Sequence, residues 1–75
     1  MITEVYIAIV DDRHSDLGME VFNKAIHALK QVTQWQSDYD DRYNWVEEDI
    51  EGWEYYVYAD TGDGPKMWIE KKGVK

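Results

Sequence analysis

The sequence predicts an α+β domain in which a small antiparallel sheet carries helix on one face, and three observations lead there. Residues 2–10 alternate on a two-residue period, residues 22–36 carry an apolar stripe at helical spacing, and two further alternating runs, 53–60 and 66–71, flank a glycine-bearing loop. A chain of 75 residues buries enough surface for one domain, over 1–75. It has no cysteine for a disulfide and two histidines outside any Cys/His cluster, so no structural zinc site is expected. Stability is left to packing, for which four Trp, six Tyr and one Phe provide large side-chain areas.

The first strand sets Val5, Ile7 and Ile9 on one side and Tyr6, Ala8 and Val10 on the other. With both sides apolar, it belongs inside the sheet. Asp11 to Leu17 reads as a connection, and the short β-prone run 19–22 as a second strand. Asn23 is a candidate cap for a helix over 24–36, with Phe22, Ala25, Ile26, Leu29 and Val32 as its apolar stripe. Tyr39, Tyr43, Val46 and Ile50 recur at spacings of four, three and four. With Ser37 as cap and Gly52 past the end, they predict a second, acidic helix over 38–51, or a segment that orders on binding. In the final hairpin, Trp53, Tyr55, Val57 and Ala59 are expected to share a face with Met67 and Ile69, and Tyr56, Tyr58 and Trp68 to occupy the other.

The formal net charge is -8, and all of it falls between Asp38 and Asp60, where nine acids face one base, Arg42. Such a field repels nucleic acid and anionic membrane, so direct binding to either is not expected. No apolar run reaches the length of a bilayer span, and the chain reads as cytoplasmic. Concentrated charge points to an acidic face directed at a partner, against the alternative of a solvated face. The segment that carries it supplies the candidate partner-binding residues Asp38, Tyr39, Asp40, Asp41, Tyr43, Trp45, Glu47, Glu48 and Glu51. If helices cover the Val5, Ile7, Ile9 side, then Tyr6, Tyr56, Tyr58 and Trp68 form an oligomer or ligand surface. The competing reading places those rings in the core.

Catalytic signals are weak. Asp11, Asp12, Arg13, His14 and Asp16 could gather a metal or a phosphate but read more simply as a turn. Asp60 and Asp63 have the wrong ligand spacing for a calcium loop, and His27 falls on the polar side of the helix. No phosphate loop, nucleophile elbow or metalloprotease helix occurs. Neither an enzyme, a cofactor nor a bound metal is expected.

The run Val5-Tyr6-Ile7-Ala8-Ile9-Val10, then Asp12-Arg13-His14-Ser15-Asp16, Val21-Phe22 and Ala25, resembles a group of short phage and prophage-type proteins, as do Trp53, Tyr55, Tyr56 and the Gly62-Asp63-Gly64 turn. The resemblance implies a viral or mobile-element setting and no particular activity. Combined with the acidic segment, the expected function is a counter-defence or regulatory inhibitor. It would block a basic, often nucleic-acid-binding, site on a host protein by mimicking nucleic acid charge. The alternatives are a homodimer or higher oligomer that sequesters a nucleotide-like molecule, with Arg13, His14 and Lys66 on its phosphates, or an assembly subunit.

Overall fold

The computed structural model describes residues 4–12, 17–39, 43–61 and 64–74. Strand β1 (Glu4–Asp11) is followed by β2 (Gly18–Phe22), helix α1 (Ala25–Asp38), β3 (Trp45–Glu48), β4 (Trp53–Ala59) and β5 (Lys66–Gly73). The five strands form one antiparallel sheet in the order β2-β1-β5-β4-β3. The doubly apolar β1 is interior, as its pattern requires, between β2 and β5. The chain is therefore α+β with a single helix among the described residues.

The helix lies on the face that carries Ala8 and Val10 of β1, Met67 and Ile69 of β5, and Val57 of β4. These side chains close on Ala28 and Val32 of α1, with Tyr6, Phe22, Trp35, Tyr39, Trp45 and Tyr55 packed around them. Register explains the grouping, because Ala8 pairs with Ile69, Val10 with Met67 and Met67 with Val57, so their side chains share one side of the pleat.

The expected helical stripe is corrected. Ile26 and Leu29 are exposed at 58% and 40%, and the buried line runs through Ala28 and Val32 toward Trp35 and Tyr39. Two rings at the C-terminal end remove more area from water than Ile26 and Leu29 would, and they rotate the helix to suit themselves. Lys24, rather than Asn23, occupies the N-cap position, and its side chain makes no capping hydrogen bond.

The second acidic helix over 38–51 is also corrected. Ser37 and Asp38 belong to the last turn of α1, residues 40–42 lie outside the described set, and 45–48 form an edge strand paired with β4. Trp45 and Val46 favour extended backbone, and alternation sends Trp45 to the core side. A helix there would also have gathered Glu47, Glu48, Asp49 and Glu51 at its negative end. Gly52 does adopt positive φ, at 92°, but in the β3–β4 turn that Trp53 N closes on Ile50 O at 3.1 Å. A helix C-terminus and a tight turn ask the same of a glycine, which is why the sequence admits both readings.

In the β4–β5 hairpin, Ala59 N donates to Pro65 O at 3.1 Å, and Gly64 sits so close to β4 that an added Cβ would collide with the Ala59 Cβ and lie 3.3 Å from Tyr43 Cε1. An alanine methyl has no rotamer by which to retreat. Gly64→Ala is expected to lower unfolding free energy by about 1–3 kcal/mol, and Gly52→Ala by about 1 kcal/mol through strain at positive φ. Urea denaturation of both variants against the parent measures these losses.

Candidate interaction surface

Alternation sends the other half of each strand to the face away from α1. Val5, Ile7 and Ile9 of β1, Met19 and Val21 of β2, Trp68 of β5, Tyr56 and Tyr58 of β4 and Val46 of β3 all fall there by register. No described element packs on it; α1 packs on the opposite side, mainly over β1, β2 and β5.

A bulge enlarges this open face. Trp53 lies opposite Glu70 while Tyr55 lies opposite the adjacent Ile69, so β4 carries one extra residue at Glu54. Trp53 is thereby moved off the Tyr55, Val57 side where strict alternation would put it. Its ring stacks on Trp68 with centroids 5.3 Å apart and planes 16° apart, and it meets Tyr56 at 5.3 Å. Tyr56 in turn meets Tyr58 at 5.4 Å. The result is a continuous run of four part-buried rings, Trp68, Trp53, Tyr56 and Tyr58, across β5 and β4. Ile9 is buried to 4% exposure in the row where Met19 and Trp68 stand on its two sides. The indole nitrogen of Trp68 is closed off from solvent and meets no acceptor among the described residues, an arrangement that costs about 1–3 kcal/mol for a buried donor.

The acidic margin of this face is fastened by phenols. Tyr58 donates to Glu48 Oε1 at 3.0 Å on the open side, and Tyr55 donates to Glu47 Oε1 at 2.9 Å on the helix side. Edge strand β3 is thus clipped to β4 on both faces, and its two carboxylates are held in place. From Tyr43 to Pro65 the chain contains no lysine or arginine, so this stretch supplies no base of its own to Glu47, Glu48, Asp49 and Glu51. A third clip, from Tyr39 to Asp12 Oδ2 at 3.0 Å, ties the end of α1 to the end of β1.

The sequence-derived site residues divide accordingly. Tyr56, Tyr58 and Trp68 share the open face as expected, whereas Tyr6 is on the helix side, packed against the core, because the helix chose the Ala8, Val10 side of β1. Tyr39 and Trp45 also pack against the core, and Tyr43 meets Trp45 at 5.7 Å. Glu47 and Glu48 lie on the β3 edge, Glu51 is exposed in the turn after it, and Asp38 accepts from Gln34 Nε2 at 3.1 Å. Lys66 is on the open face between Asp11 and Tyr58. Asp40, Asp41, Arg13 and His14 lie outside the described residues. Trp53 and the apolar β1 residues are the members that sequence reasoning assigned to the wrong side. Trp53 needed the bulge to be foreseen, and no residue in the run advertises one.

Among the described residues no group of three or more metal-ligating side chains converges, and no helix is long and apolar enough to cross a membrane. Comparison of the chain with protein-family models, with curated proteins and with solved structures finds no match.

Burial and the neighbouring carboxylates push the Tyr39 and Tyr55 phenols up to about 12 from the ordinary 10.0. Both stay neutral in the fold at pH values where an unfolded chain has begun to ionise, so their contribution is whole below pH 10 and is lost as pH rises toward 12. Phenolate absorbance during alkaline titration is expected to show Tyr39 and Tyr55 in a late phase near pH 12, accompanied by falling stability across that window. Tyr39→Phe and Tyr55→Phe should each shorten the late phase by one tyrosine.

Proposed function

We propose that this chain is a non-catalytic binding protein that lays its open aromatic face on a partner protein while its acidic margin meets that partner's basic residues, masking a site of the kind that holds nucleic acid. Support comes above all from one observation: four contiguous rings on a sheet face that no described element covers, beside a stretch of chain without a base. Tryptophan and tyrosine carry much of the energy of protein interfaces because they bury large areas with few rotors to freeze. Carboxylates held in fixed positions are suited to the place of phosphates on a basic surface, and they raise the rate of encounter through their field. The role we assign is that of a phage-type regulatory or counter-defence inhibitor. The setting rests on the sequence resemblance and the mode of binding on the face.

For a basic partner captured from bacterial lysate, affinity is expected to fall steeply as ionic strength rises. Tyr56→Ala and Trp53→Ala should each weaken binding by about 30-fold, equivalent to about 2 kcal/mol, with circular dichroism unchanged. Titration calorimetry at two salt concentrations decides it. Affinity indifferent to salt, or untouched in both folded variants, would contradict the reading.

A further inference from the structure

The two edges of the sheet differ in kind. Strand β3 is four residues long, carries two glutamates and is followed by Asp49 and Glu51, features that discourage another strand from pairing with it. Strand β2 is less guarded. It is five residues long with one charge, Glu20, and its outer backbone edge has no described partner. Six large apolar side chains are exposed among the described residues, and three of them, Leu17 at 51%, Met19 at 53% and Val21 at 59%, come from five consecutive positions on this edge. The charge balance agrees: from Leu17 to Ser37 the charged side chains are Glu20, Lys24 and Lys30, a net of +1 in a chain of -8.

We propose that β2 pairs with β2 of a second copy of this chain, antiparallel about a two-fold axis normal to the sheet, to make one ten-stranded sheet with a helix of each copy on the same face. Antiparallel pairing of a strand with itself satisfies both exposed edges at once and closes the assembly at two chains. Continuity of the faces allows only registers that keep residues of like parity opposite each other. The register that sets Met19 against Met19 of the second copy places Leu17 against its Val21 and Glu20 against its Gly18. It forms an unbroken apolar row on the open face and avoids a Glu20 pair. Charge favours a second copy at this edge and not at the other. Two β2 edges in contact hold the acidic β3 strands nine strand spacings apart, about 43 Å, far beyond the Debye length of about 8 Å at physiological salt. The paired sheet also joins the two open faces into one surface with an acidic margin at each end.

Sedimentation equilibrium of the full chain is expected to give a mass that rises with concentration to twice 8.9 kDa and stops there. The double variant Met19→Lys, Val21→Lys, at positions already more than half exposed, should remain at 8.9 kDa with its circular dichroism unchanged. Should that variant unfold, hydrogen exchange of the parent decides: amides of 18–22 that exchange more slowly at higher protein concentration support the pairing, and exchange independent of concentration overturns it. A single-chain mass at every concentration up to about 1 mM, a dimer that persists in the folded double variant, or growth past two chains by head-to-tail pairing of β2 on β3 would each overturn it as well.

Discussion

A single helix can cover one side of a five-stranded sheet, and β1 and β4 of this sheet carry apolar or aromatic side chains on both. That constraint governs the rest of the molecule. Strands β1 and β4 carry apolar or aromatic side chains on both sides, and β5 sets Trp68 among Lys66, Glu70 and Lys72 on the side away from Met67 and Ile69, so whichever side α1 takes, the remaining side still presents rings and branched aliphatics. The helix takes the side of Ala8, Val10, Val57, Met67 and Ile69, where small and medium side chains leave room for its backbone to approach and for Trp35 and Tyr39 to fill the periphery. The opposite side carries the larger flat groups, which can partly shelter one another by stacking. Burial of Ile9 without help from the helix shows how far that self-sheltering goes.

Charge is organised along the same sheet, perpendicular to the strands. At the β3 edge, acids follow one another in a stretch, 43–65, that contains no lysine or arginine, and phenols from β4 hold two of them in fixed positions. At the β2 edge the charge is near balance. Desolvation and a hydrogen bond to a carboxylate both favour the neutral phenol, so the tyrosines that order the acidic edge are the groups whose ionisation is pushed up. On β5, Lys71 bridges Glu4 at 3.3 Å and Glu54 at 3.6 Å. Exposed pairs of this kind add little to stability.

Four of the five strands and the helix are legible in the residues, because period and turn chemistry agree over 2–10, 19–22, 24–36 and the 53–71 hairpin. What escaped reading is of two kinds. Over 38–51 a helical spacing of aromatics coincided with a glycine that suits either a helix end or a turn. The outcome there was decided by long-range pairing with β4, which local periodicity does not encode. On the open face, membership depended on which side of β1 the helix would choose, which took Tyr6 away with Ala8 and Val10, and on one extra residue at Glu54, which moved Trp53 off the side that strict alternation gives it. The grouping of Tyr56, Tyr58 and Trp68 needed neither and was readable directly.

The measurement closest to this account is solvent paramagnetic relaxation of side-chain methyl groups in the free protein, with a soluble neutral relaxation agent. Val5, Ile7 and Val46 should relax well above Val32, Val57 and Ile69, which are exposed at 0%, 0% and 2%. Equal protection of the two sets would mean that something covers both sides of the sheet, and that no aromatic face is left to meet a partner.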